Sequence, residues 1–189
     1  MRVLGISGSL RRDSHNTALL RHAGELLQAE GAEFSIYDGL RDIPIYDEDL
    51  DVEIPDAAVT RIRAAVRDAD AVFFATPEYN SSIPGGLKNA IDWLSRPSLA
   101  ESALRGKPVA VVGASTGMFG AVWAQAELRK VLGAAGARVI ENELAVGHAM
   151  DRFDRYGRLD DENLADQVRE VTDALLGEAR PTELAQVAA

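Results

Sequence analysis

The chain has 189 residues, and 20 Lys and Arg against 30 Asp and Glu leave a formal charge of −10 at neutral pH. Nucleic-acid binders carry basic patches and an anionic membrane repels such a chain, so small molecules and other proteins remain as partners. The complete lack of cysteine excludes disulfides, thiolate metal sites and cysteine nucleophiles, and suits the cytosol.

A composition of 47% hydrophobic and 26% charged residues is that of an ordinary globular domain, and the length suggests one domain, over residues 1–177. Residues 178–189, with Pro181 and a small-residue end, read as a flexible tail. The apolar run at the N-terminus, Val3-Leu4-Gly5-Ile6, is too short for a secretory signal. No apolar run approaches the roughly 20 residues of a membrane span, so a cytoplasmic protein is expected.

In chain order, β-branched and aromatic runs predict strands over residues 3–7, 33–37, 71–76, 109–114 and 138–144. Helical periodicity predicts helices over 17–30, 55–68, 86–94, 120–135 and about 163–176, with Gly31 and Gly136 as stop signals. Strands alternating with helices imply an α/β fold, a doubly wound sheet of five parallel strands that binds ligands beyond its carboxyl ends. Attention therefore falls on the loops after the first, third and fourth strands.

The first loop, Gly8-Ser9-Leu10-Arg11-Arg12-Asp13-Ser14-His15-Asn16-Thr17, opens a helix, where backbone N–H groups and the positive end of the dipole favour an anion. The hydroxyls of Ser9, Ser14 and Thr17, the Asn16 amide and a guanidinium make it a candidate phosphate cradle. It lacks the Gly-Lys-Ser/Thr ending of a Walker A loop, and Gly5 and Gly8 alone do not supply the dinucleotide fingerprint. Without a ligand, Asn16 or Thr17 would simply cap the helix.

The second loop, residues 76–86, is stiffened by Pro77 and Pro84 and presents backbone N–H and C=O groups with an aromatic alongside, a surface that fits a planar heterocycle such as an isoalloxazine. A helix capped by Ser82 with Pro84 in its first turn is the reading that needs no ligand. The third loop, with Ser115, Thr116 and Gly117, is small and polar and taken alone is a weak signal. Glu141, about 20 residues past Gly120, only approximates a dinucleotide site.

Together these loops resemble the NAD(P)H-dependent FMN reductase family, the flavodoxin-like group that includes quinone, chromate and azo-compound reductases. The resemblance rests on Gly8-Ser9-x-Arg11-x-x-Ser14-x-Asn16, on Pro77-Glu78-Tyr79-Asn80-x-Ser82-x-Pro84-x-x-Leu87-Lys88-Asn89-Ala90-Ile91-Asp92-Trp93, and on Ser115-x-Gly117. It extends to Asp42-Ile43-Pro44-Ile45-Tyr46-Asp47 and Phe153-Asp154-x-x-Gly157-x-Leu159. It implies a flavodoxin-like three-layer sandwich in which Ser9, Arg11, Ser14, Asn16 and Thr17 hold the phosphate of a non-covalent FMN. Pro77, Glu78, Tyr79, Asn80, Ser115, Thr116 and Gly117 would line the ribityl chain and ring. It further implies a homodimer or homotetramer, with NADPH or NADH as donor. Electrons would pass through FMN to a small acceptor such as a quinone, free flavin, chromate or an azo compound, in a ping-pong cycle. Asp13, a negative charge inside the phosphate loop, is a departure that would weaken phosphate binding if it faced inward.

The flavin carries the chemistry in such an enzyme, so no side chain is nominated as catalytic, and Tyr79 is the candidate for shaping the acceptor pocket. His15, His22 and His148 lack metal-ligand spacing, and no metal is expected. The acidic stretch 47–53 lacks calcium-loop spacing and reads as a solvated loop, while Asp160 and Asp161 suit the cap of the last helix. Trp93 and Trp123 read as packing residues, and Lys88 as either a phosphate ligand or a salt-bridge partner. The competing function is a flavodoxin-type electron carrier docking onto a protein partner, which an acidic surface would also serve.

Overall fold

The computed structural model describes residues 1–98 and 100–180. Five parallel strands, β1 (Arg2–Ser7), β2 (Glu33–Ile36), β3 (Ala71–Thr76), β4 (Pro108–Ala114) and β5 (Arg138–Val146), lie in the order β2-β1-β3-β4-β5. The helices are α1 (His15–Ala29), α2 (Ala57–Asp68), α3 (Gly85–Leu94), α4 (Val122–Ala134) and α5 (Glu162–Ala179).

The alternation of side chains along each strand sorts the core into two layers. Leu4, Ile6, Val72, Phe74, Val109 and Val111 face α2, α3 and α4. Val3, Ala71, Phe73, Ala110 and Val112 face α1 and α5. Every residue of β3 is buried, as a strand covered by helices on both faces requires. This is the expected three-layer α/β sandwich. Its topological switch falls between β1 and β3, where the chain leaves in opposite directions from adjacent strands.

The caps explain where the helices differ from expectation. Helix α1 starts two residues before Thr17 because the hydroxyl of Ser14, not Asn16 or Thr17, accepts the N–H of Thr17 at 3.3 Å. Asp56 caps α2 in the same way and Asp161 caps α5. Helix α4 begins at Val122 instead of Gly120, since Gly120 and Ala121 both take positive φ. At Gly120 a β-carbon would lie 2.5 Å from the Ala145 backbone, so only glycine allows the loop to pass β5.

Helix α5 continues through Gly177 to Ala179, three residues beyond its expected end, because Arg138 binds the Glu178 carboxylate at 2.7 Å and its carbonyl oxygen at 3.1 Å. The first residues of the expected tail, Glu178 and Ala179, are therefore helical. Its final nine, 181–189, lie outside the described residues.

Candidate functional site

The three loops singled out in the sequence meet at the carboxyl ends of β1, β3 and β4. In the first, Ser7 is a hub that the loop pattern alone did not reveal: its hydroxyl accepts the N–H of Ser9 at 3.2 Å and the hydroxyl of Thr17 at 3.0 Å. Ser9 in turn accepts the N–H of Arg11 at 3.3 Å. Ser7, Ser9 and Ser14 are buried, so these short bonds fix the loop from beneath. Among the described residues the backbone N–H groups of Asp13, Ser14, His15 and Asn16 have no acceptor, as the first turn of a helix dictates.

Asn16 is bonded within the protein through its side chain. Its side-chain amide donates to the Ala114 carbonyl and accepts the Ala114 N–H, both at 2.9 Å, and the residue is 3% exposed. Its amide oxygen is thereby engaged, and the side chain acts as a clamp between the first loop and the end of β4. Arg11, Arg12 and Asp13 are exposed. Arg11 and Arg12 have no carboxylate within 4 Å among the described residues. Burial, followed by the nearby Arg11 guanidinium, lowers the pKa of His15.

The second loop holds a two-residue hairpin. Tyr79 and Ser82 exchange backbone hydrogen bonds of 3.0 and 3.2 Å, and between them Asn80 and Ser81 have φ of 53° and 59°. Positive φ at both central positions is the mark of a type I′ turn, which a Gly-free Asn-Ser pair conceals in the sequence. Tyr79 is 49% exposed.

Glu78 ties the second loop to the start of a helix. Its carboxylate Oε2 accepts the N–H groups of Trp123 and Ala124 at 3.0 and 3.1 Å, capping the start of α4. Ser82 does not cap α3, whose N-cap is Pro84 with no side-chain bond, and instead donates its hydroxyl to Glu127 of α4. Lys88 forms an ion pair with Asp92 one turn on, at 2.6 Å.

The third loop is pinned to the segment that follows β5. Ser115 Oγ accepts the Gly117 N–H at 3.1 Å, and the carbonyls of Ser115 and Gly117 accept from Ala149 and His148 at 3.0 Å each. Thr116 and Gly117 are exposed.

The loops are locked to one another. The Gly8 N–H reaches the Ala75 carbonyl at 2.8 Å, and a β-carbon at Gly8 would sit 2.9 Å from Leu87 and 3.2 Å from Pro77. Asn16 ties the first loop to the third, and Glu78 ties the second to α4. Beside the second and third loops, Met118, Phe119 and Trp123 are exposed, with the Phe119 and Trp123 rings edge to face at 5.1 Å. Trp93 is fully buried and donates Nε1–H to the Pro44 carbonyl at 2.9 Å.

Elsewhere, the acidic stretch is not wholly solvated. The Asp51 carboxylate is 6% exposed and paired at 2.9 Å with Arg63, itself buried and bonded through Nε to the Trp93 carbonyl. No grouping of three metal-ligating side chains exists among the described residues.

The sequence pattern of the NADPH-dependent FMN reductases matches residues 1–151. The chain belongs to that family. It is therefore an FMN-dependent oxidoreductase of the NAD(P)H-using class. A member from Pseudomonas aeruginosa, an NAD(P)H-dependent FMN reductase, is 43% identical over 93% of each chain. A quinone reductase of Pseudomonas putida is 41% identical over 84% of each chain. Among solved structures the flavoenzyme FerB of Paracoccus denitrificans, an NAD(P)H:(acceptor) oxidoreductase, superposes with a TM-score of 0.84 at 35% identity, covering 94% of this chain and 96% of its own.

Proposed function

We propose that the first loop binds the FMN phosphate, that the second and third loops receive the ribityl chain and ring, and that the acceptor is a quinone. The observation that carries this reading is the row of N–H donors from Asp13 to Asn16, unsatisfied among the described residues, beside an Arg11 guanidinium that has no carboxylate partner there. A dianionic phosphate fits such a cradle, because amide donors and the helix dipole balance its charge without a lysine. When bound, the flavin supplies the redox chemistry, taking two electrons from NAD(P)H and passing them to the acceptor.

The protein's own part is to hold and orient. The Ser9 and Ser14 hydroxyls, buried beside the free donors, retain a proton each to give to a phosphate oxygen while their oxygens serve the loop and the cap. Thr17 stiffens the cradle through Ser7, and Asn16 sets its height against β4. Asn80, Thr116 and Gly117 are exposed beside the buried Pro77, and Glu78 supports this edge by anchoring α4. Tyr79, half exposed on a rigid turn, offers a ring face to a stacked acceptor. The quinone assignment is supported by relatives named quinone reductases and 2-hydroxy-1,4-benzoquinone reductase, at 41% and 37% identity.

The exposed cluster of Met118, Phe119 and Trp123 supports a homodimer or homotetramer, since large apolar side chains gathered on one face favour a partner surface. No helix among the described residues is long and apolar enough to cross a membrane, and a cysteine-free chain drawing on NAD(P)H suits the cytoplasm.

The decisive experiment is anaerobic addition of NADPH to the FMN-loaded protein while following the flavin absorption. Rapid bleaching that a quinone reverses is expected. Flavin that stays oxidised with both NADPH and NADH would instead point to an electron carrier.

A further inference from the structure

A cleft of about 560 Å³ lies between α1 and the segment 150–157, and residues 12–15 of the phosphate loop form part of its wall. That volume lies within the roughly 300–1,000 Å³ of small-molecule sites. Arg12, Arg21 and Arg155 line it, and none has a carboxylate within 4 Å among the described residues. On a chain of net charge −10 three guanidiniums without a carboxylate partner among the described residues, one of them, Arg155, bonded to the Tyr156 hydroxyl at 2.6 Å, are a local reversal of sign. The carboxylates that share the cleft are Asp13 and Asp154. Asp154 is turned into its own loop, where it accepts the N–H groups of Tyr156 and Arg158 at 2.7 and 2.9 Å.

The same cleft has aromatic walls. His15 and Phe153 stack with centroids 5.3 Å apart and planes 29° from parallel. Tyr156 is 70% exposed with the Arg155 guanidinium 4.7 Å over its ring. Guanidiniums that bind phosphate bidentately, beside flat rings that stack a base, match a phosphorylated nucleoside.

We propose that this cleft receives the adenosine end of NADPH, with Arg21 and Arg155 holding its 2′-phosphate and the aromatic walls holding the adenine. The proposal rests on the reading that the neighbouring loops hold FMN, because the segment Arg12 to His15 belongs both to this cleft and to the phosphate loop. It gives the enzyme a reason to prefer NADPH over NADH, which differ only in the phosphate these arginines would read.

Two measurements test it on the full chain. Calorimetry with adenosine 2′,5′-bisphosphate on flavin-free protein should show binding, weakened at least tenfold in the double variant Arg21→Ala, Arg155→Ala and partly restored by Lys at both positions. In the FMN-loaded enzyme the same Ala variant should raise KM for NADPH at least tenfold while leaving kcat, KM for NADH and the FMN dissociation constant unchanged. No binding of the bisphosphate to the parent protein, unchanged affinity in the variant, or an equal rise in KM for both donors would overturn the proposal. A parent protein that binds the bisphosphate but not FMN would instead overturn the flavin reading.

Discussion

The side chain of Asn16 makes both of its hydrogen bonds to a single residue, donating to the carbonyl of Ala114 and accepting its N–H at 2.9 Å each, across 98 positions of sequence. It continues the hydrogen bonding of β4 where no further strand residue is available, and it holds the start of α1 against the sheet. Both Ala114 groups are buried, so removing the amide leaves two unsatisfied polar atoms. Asn16→Ala should therefore lower stability by about 2 to 4 kcal/mol. Asn16→Asp should be little better, because a carboxylate cannot donate to the carbonyl. Denaturant unfolding of the three proteins checks this, and a loss below about 1 kcal/mol for the Ala variant would refute the clamp.

Arg11 lies on the same loop but, unlike Asn16, makes no structural bond through its side chain among the described residues. Arg11→Ala should leave the melting temperature unchanged and weaken FMN binding by about 1.5 to 3 kcal/mol, the scale of a hydrogen bond to a charged group. Quenching of FMN fluorescence on titration reads this directly. An unchanged dissociation constant would remove Arg11 from the cradle.

Ser81 holds φ of 59° with a side chain in place, at the tip of the hairpin that carries Tyr79. A β-branched residue resists that backbone more strongly, so Ser81→Val should cost about 1 to 3 kcal/mol. Because the turn orients Tyr79, KM for a quinone should rise as well, while Tyr79→Ala should raise KM with no loss of stability. Thermal melts and steady-state kinetics on both variants separate the two effects.

The pair Asp51 and Arg63 fastens the acidic loop to α2 and α3. Both side chains are less than one-tenth exposed, so Asp51→Ala leaves a buried guanidinium without its partner. A loss of about 3 kcal/mol is expected in urea unfolding. Asp49→Ala, two residues away on an exposed position, should change stability by less than about 0.5 kcal/mol.

His22, on α1 where α5 packs, has a buried Nε2 with no partner among the described residues, and burial lowers its pKa. Glu25 opposes that shift and Arg169 of α5 adds to it. A base whose folded-state pKa lies below its unfolded value of 6.5 binds more protons when unfolded, so stability rises with pH through that interval and falls as the pH drops below about 6.5. His15, lowered in the same direction, adds to the fall. Melting temperatures between pH 5 and pH 8 should show a shallower decline for His22→Leu than for the parent chain, and parallel curves would contradict the assignment.

The sequence by itself determined the alternation of strands and helices. Continuous apolar runs such as Val72 to Ala75 read as strands covered on both faces, and glycine, serine and proline cluster in the loops that follow β1, β3 and β4. Those local signals located all three loops of the site, and helix caps such as Asp161 were legible for the same reason. Only the tertiary structure decided what each polar side chain in those loops does. Glu78 and Trp123 are 45 positions apart, and nothing in either segment tells that the carboxylate caps a helix. Ser82 and Glu127 are separated by the same 45 positions, and Asp51 meets Arg63 across a loop whose composition reads as solvated. Periodicity reports which face of an element is buried, whereas a hydrogen bond depends on where two separate elements come to rest, and that is fixed by the packing of the whole sheet.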